Sequence, residues 1–238
     1  MHASALNGQM IVILGGSSGL GLATARLAIQ EGARVYIGAR NAEQLAQVLV
    51  DLGPNAAGAT LEIGEEASVN AFFKGIDHMD HLVITAANNA PARLLEGSLE
   101  QLRISMDSRF WGAVMAIRAA VPLMPEHGSI VMTSGMVSLR PRPAMSVVAA
   151  AASAVESLAR SLVSELAPRR INVINPGPMH TPLLSSVLDD AALQKLATQL
   201  PLGKLGTGED YAQAALFALS NAYLNGSTIH LNGGAAWA

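Results

Sequence analysis

The chain has 238 residues, half of them hydrophobic, with 15 Lys+Arg against 18 Asp+Glu for a formal net charge of −3. That composition supplies a large core for one α/β domain and offers no basic surface for nucleic acid or an anionic membrane. The chain has no cysteine, which excludes disulfides and thiolate metal sites. Residues 1–9 carry no basic cluster and no long apolar stretch, so no secretory leader is expected. The most apolar later run, 147–155, is mostly alanine and falls well short of the roughly 18–20 residues that span a bilayer. A soluble, cytoplasmic protein without a membrane partner is the expectation.

Short β-branched runs alternate with longer helical patterns, which predicts βαβ units and a parallel sheet. In chain order the strands are expected over 10–14, 34–38, 59–63, 81–85, 129–133, 171–174 and 227–231. They are apolar on both faces, as strands covered by helices on both sides should be. Helices are expected over 20–30, 42–52, 67–75, 99–124, 145–166 and 209–220. The fold class read from this order is a single Rossmann-type, doubly wound α/β domain over 1–238, with about seven parallel strands. Segment 175–207 breaks the alternation with prolines, glycines and a helical stretch at 183–200. Lying beyond the carboxyl end of a strand, where open α/β sheets bind ligands, it reads as a substrate-side lobe.

Between the first strand and first helix stands Gly15-Gly16-Ser17-Ser18-Gly19-Leu20-Gly21, a GxxxGxG spacing. Gly15 permits the tight turn, Gly19 lets backbone approach a pyrophosphate, and Gly21 allows close helix–strand packing. The helix N-terminus then presents free N–H groups to phosphate. Glycine triplets alone are weak signals; the order strand, loop, helix, strand around this one makes a dinucleotide site the reading. The second strand runs into Ala39-Arg40, where an acidic residue would bind the ribose 2′-hydroxyl of NAD(H) and repel a 2′-phosphate. An uncharged residue followed by a guanidinium favours NADP(H).

These motifs together resemble the short-chain dehydrogenase/reductase family over nearly the whole chain. Glu62-Ile63 is similar to that family's acidic residue beside the adenine pocket, Asp80-His81-Leu82-Val83 to its fourth-strand opening, and Gly128-Ser129-Ile130-Val131 to its fifth strand. The run Pro176-Gly177-Pro178-Met179-His180-Thr181 resembles its Pro-Gly…Thr segment, whose threonine meets the nicotinamide carboxamide. The cofactor contacts that the resemblance implies are Gly15, Ser17, Ser18, Gly19, Leu20, Gly21, Arg40, Glu62, Ile63, Ala86, Pro176, Gly177 and Thr181. It also implies a homo-oligomer, a tetramer or dimer, built through helices 99–124 and 145–166.

The family's catalytic tetrad is not matched. A tyrosine acid/base needs a lysine four residues on, one turn along the same helix face, and none of the three tyrosines has one. Aligning Ser153-Ala154-Val155-Glu156 with the family's helix places Val148 at the tyrosine and Ala152 at the lysine. The usual separation then puts Gly135 at the serine, and Arg109 in Arg109-Phe110-Trp111-Gly112 at the asparagine. The fourth strand's Asn-Asn-Ala-Gly becomes Ile84-Thr85-Ala86-Ala87. Asn88-Asn89-Ala90-Pro91 looks similar but would overextend that strand. Valine offers no proton and alanine no cation, so general acid–base help worth about 10²–10⁴ in rate is missing.

Replacement chemistry has four candidate sources. His180 is an imidazole that could act as acid or base, Arg109 is a fixed cation suited to a carboxylate, phosphate or enolate oxygen, and Ser134 and Ser138 flank the missing serine. Arg140 and Arg142 could attract an anionic small-molecule substrate. His78 and His81 lack a third ligand, so no metal site is expected. Three functions stay open: an NADP(H)-dependent oxidoreductase with an atypical active site, a cofactor-binding pseudoenzyme, or a non-redox lyase or isomerase using the same cleft.

Overall fold

The computed structural model describes residues 5–238; part of the N-terminal stretch examined for a leader lies outside them. Among the described residues, seven parallel strands form one sheet in the order β3-β2-β1-β4-β5-β6-β7: β1 Met10–Leu14, β2 Arg34–Ala39, β3 Ala56–Thr60, β4 His81–Ile84, β5 Ser129–Thr133, β6 Arg170–Pro176 and β7 Thr228–Leu231. The order reverses between β1 and β4, which opens a crevice at the carboxyl edge there. Side chains alternate across the sheet. Val12, Leu14, Leu82, Ile130, Met132 and Val173 bury on one face, while Ile11, Ile13, Val83, Val131 and Ile174 bury on the other. The doubly wound α/β fold is therefore the observed one.

Helices α1 Gly19–Gln30, α2 Ala42–Leu52 and α9 Gly208–Ser220 cover one face, and α3 Glu66–Lys74, α4 Leu99–Met106, α5 Gly112–Ala120 and α6 Ser146–Leu166 the other. Asn41 caps α2 by accepting from the Gln44 amide at 2.9 Å, and Thr207 with Asp210 forms a capping box on α9. Among the described residues α6 is the one helix long and apolar enough to cross a bilayer. It instead packs Val148, Ala151, Ala152, Val155 and Ala159 into the core.

Three elements depart from the sequence expectation by more than two residues. The third strand lies at Ala56–Thr60 rather than 59–63, because Ala56 registers with Val35 at the sheet edge and the chain then turns toward α3. Leu61 and Ile63 bury as anchors of that turn, not as strand residues. The helix expected over 99–124 is interrupted by a π-turn at Asp107–Trp111 and ends in a 3₁₀ turn at Val121–Leu123. The Ser108 hydroxyl donates back to Ile104 O at 2.8 Å and also accepts from Asn88 N, widening the helix there. Proline at 122 supplies no N–H to continue the helix. The stretch expected over 183–200 splits into α7 Pro182–Ser185 and α8 Asp190–Thr198, with Asp189 capping the second.

Segment 175–207 is pinched at its base. Met179 bridges Gly206, Gly206 N donates to Pro178 O at 3.0 Å, and His180 N donates to Gly206 O at 2.7 Å. The intervening residues, α7 and α8, thus form a projection over the carboxyl edge of β6.

Candidate cofactor cleft and reaction site

The glycine loop is held by contacts that no side chain would allow. A Cβ on Gly21 would stand 2.3 Å from Gly15 O and 2.6 Å from Thr85 Oγ1, so α1 closes directly onto β1 and β4. Gly15 has φ +89, and a Cβ there would meet Ala86 N at 2.7 Å. Around this turn runs a cleft of about 320 Å³, lined by Gly15, Ser17, Ser18, Gly19, Leu20 and Gly21, by Ala39, Arg40 and Gln44 at the end of β2, and by Leu61, Glu62 and Ile63 after β3. Thr85, Ala86, Asn88 and Thr181 complete its wall. Thr181 reaches the loop from across the sheet: its Cβ lies 3.7 Å from where a Cβ on Gly19 would be. Arg40 is exposed and forms no ion pair among the described residues. Glu62 turns its carboxylate back on Gly64 N at 3.3 Å. Pro176 and Gly177 do not line the cleft. Pro176 ends β6 against Leu231, and Gly177 is pressed against Asn232, with which a Cβ would collide at 2.8 Å.

Beside the cleft, the π-turn aims Arg109 at the end of β5. Its Nη1 donates to Thr133 O at 2.8 Å and Ser134 O at 3.1 Å, and its Nη2 to Asn89 Oδ1 at 2.9 Å. All three acceptors are neutral. Burial lowers the guanidinium to about 10, with Tyr211 opposing the shift, so it stays charged at neutral pH. A guanidinium has five N–H donors; the enclosed Nε–H has no acceptor in the protein.

Ser134 is buried, its N donating to Ile174 O at 2.9 Å while its Oγ has no partner. One strand across, Asn175 donates Nδ2 to Ser138 Oγ at 2.9 Å and Glu156 Oε1 at 2.7 Å, leaving its Oδ1 unpaired. Ser138 in turn donates to Glu156 at 3.0 Å. On the opposite face, fully buried Tyr211 lies 2.6 Å from Thr133 Oγ1. Thr133 spends its own proton on Ile84 O at 2.8 Å, so Tyr211 must donate here. Burial pushes the phenol well above its ordinary value, with the Thr133 bond and Arg109 opposing.

A family model described as "Enoyl-(Acyl carrier protein) reductase" matches residues 15–236. The "Short-chain dehydrogenase/reductase ATR9" of Stachybotrys chlorohalonatus is 30% identical over 97% of this chain and 98% of its own. The chain belongs to the short-chain dehydrogenase/reductase family. Within the family, the Bos taurus "3-oxoacyl-[acyl-carrier-protein] reductase" is 31% identical, covering 95% of this chain and 97% of the relative. A solved structure from Pseudomonas aeruginosa PAO1 superposes with a TM-score of 0.88 at 28% identity, covering 95% and 96% of the two chains. It is described as an NADPH-bound short chain oxidoreductase "containing an atypical catalytic center".

For this short-chain dehydrogenase/reductase, the structure brings most of the expected residues together. Arg109 and Ser134 are in direct contact through the serine carbonyl. Val148 and Ala152 are buried on α6 one turn apart, and Glu156 follows one turn after Ala152. Gly135 is extended, with nothing closer than 3.9 Å to a Cβ. His180 does not line the cleft: it is exposed and lines an adjoining groove with Arg26, Gln30 and Glu209, which meets the cleft at Gly19 and Thr181. His81 is also remote, at the amino edge of the sheet, its Nδ1 accepting from Ser129 N and its Nε2 facing Gln9 Oε1 at 2.7 Å. Among the described residues no cluster suits a metal ion. Sequence reasoning missed Tyr211, Thr133 and Asn89. The one available sign was a phenol in the alanine-rich run 211–219, where a buried hydroxyl needs a partner.

Proposed function

We propose that the chain is an NADP(H)-dependent oxidoreductase whose reaction site differs from the family's usual one. The observation that carries the cofactor half is the cleft in which two Cβ-free contacts, at Gly15 and Gly21, bring backbone N–H groups within reach of a pyrophosphate, with Arg40 beside neutral Ala39. Ser17, Ser18 and the α1 N-terminus would hold the phosphates, Arg40 the 2′-phosphate, and Thr181 the carboxamide. The chemistry supplied there by bound NADP(H) is hydride transfer.

At the reaction end, Arg109 replaces a proton relay with a fixed charge. Its half-buried guanidinium would stabilise negative charge developing on a carbonyl or enolate oxygen, often the largest catalytic contribution. A guanidinium is a poor proton donor, so the proton comes from solvent or substrate and His180 is not needed. This favours polarised double bonds and activated carbonyls over simple ketones and secondary alcohols. Stopped-flow NADPH oxidation over a panel of enones, activated carbonyls and simple ketones tests the reading. Turnover confined to the first two supports it, and robust turnover of simple ketones overturns it.

The apolar burial of Val148 and Ala152 favours a second reading, a protein that binds the cofactor without turnover; tight NADPH binding with no oxidation across the panel would mark it. The chain is also proposed to act as a homo-oligomer, probed by light scattering at micromolar concentration. Leu95 in the turn before α4, Leu99 on α4 and Trp111 in the π-turn are exposed, which supports an apolar contact there.

A further inference from the structure

We infer that the site takes a substrate with an anionic head group on an apolar body, held by Arg140 and Arg142. The inference rests on the reading of segment 175–207 as the substrate side. A pocket of about 320 Å³ opens between the loop after β5 and α8 of that segment. Met136, Leu196 and Leu200 give it apolar walls, Gln199 a neutral amide, and Arg140 and Arg142 two positive charges. No acidic side chain lines it, and among the described residues neither arginine pairs with a carboxylate side chain.

One guanidinium is tied down and the other is open. Arg140 donates Nη1 to Ala235 O, at 3.2 Å, and to Ala238 O, which fixes its orientation. Arg142 makes no side-chain hydrogen bond among the described residues. Pro141 and Pro143 alternate with the arginines and restrict the backbone that carries them. Ala144, next along, has φ +65, a conformation that alanine adopts only under constraint, and its carbonyl accepts from Ala92 N at 2.8 Å. Strain of this kind collects at ligand sites.

The loop that carries Arg140 and Arg142 starts at the proposed reaction end. Met136 on its wall is two residues from Ser134, whose carbonyl Arg109 holds. A substrate reaching from one to the other would meet Arg109 at its reacting oxygen and the arginine pair at its head group. Bidentate recognition suits a carboxylate and a phosphate equally.

Isothermal titration with octanoate, octyl phosphate and octan-1-ol tests this without turnover. At least one anionic probe should bind tenfold or more tighter than the alcohol, with the advantage shrinking as salt is raised; which of the two binds tighter identifies the head group. Arg142→Gln should erase the preference while NADPH titrated on the same variant binds as before. Equal binding of acid and alcohol, or an anion affinity indifferent to Arg142→Gln, overturns the inference even if NADPH binds. Arg142-dependent anion binding to a protein that does not take NADPH sustains the pocket and refutes the cofactor reading alone.

Discussion

Replacing Gly21 by alanine isolates the contact on which the cofactor cleft is built. The new Cβ would stand 2.3 Å from the Gly15 carbonyl oxygen and 2.6 Å from Thr85 Oγ1. Both neighbours are constrained, one as backbone and the other by hydrogen bonds to Leu14 O and Gly15 O. Nothing can yield by a rotamer change alone, so α1 must shift away from the loop by about an ångström. Overpacking of this kind costs about 1–3 kcal/mol. Alanine returns at most about 1 kcal/mol through its higher helix propensity. The net expectation is a loss of up to about 3 kcal/mol in urea unfolding, with NADPH affinity by fluorescence titration falling at least tenfold. Gly135→Ala is the control. That glycine is extended and its nearest neighbour to a Cβ is Val137 Cγ1 at 3.9 Å, so stability should stay within about 0.5 kcal/mol of the parent. A Gly21→Ala variant with parental midpoint and parental NADPH affinity would refute the close-approach argument.

Arg40→Ala should weaken NADPH by about tenfold, or about 1.4 kcal/mol, with little effect on NADH; parallel titrations check it, and equal losses for both cofactors would remove the 2′-phosphate role. Arg109→Lys should cost about 1–3 kcal/mol in urea unfolding, because one ammonium cannot serve Thr133 O, Ser134 O and Asn89 Oδ1 together. His81 gives the pH dependence. Burial drops its pKa from 6.5 to about 4, so between those values the unfolded chain binds the extra proton. Its contribution is full above pH 6.5 and is lost as pH falls toward 4, amounting to about 2 kcal/mol between pH 8 and pH 5. Urea titrations at both pH values should show that loss in the parent and a flatter response in His81→Asn.

What the sequence determined by itself was whatever depends on near neighbours in the chain. Strand β5 and helix α2 lie at the residues expected, because β-branched alternation, an Asn cap and a helical apolar stripe act within a few residues. The glycine loop was legible for the same reason, since turn, helix start and close approach all fall within Gly15 to Gly21. The edge strand β3 was misjudged because Ala56–Thr60 has little strand preference of its own, and only pairing with Val35 through Ala39 makes it one. The π-turn at Asp107–Trp111 was invisible because a hydroxyl bond across to Asn88 creates it, twenty residues away. The tertiary structure alone decided the neighbourhood of Arg109. Its acceptors come from β5 and from Asn89 after β4, while Tyr211 approaches Thr133 from the far face. No spacing along the chain encodes that meeting, because the sheet brings together strands separated by whole βα units. His180 shows the converse: adjacency to Thr181 suggested a place at the cleft, but only the packing of α1 against that segment determined that Thr181 lines the cleft and His180 the adjoining groove alone.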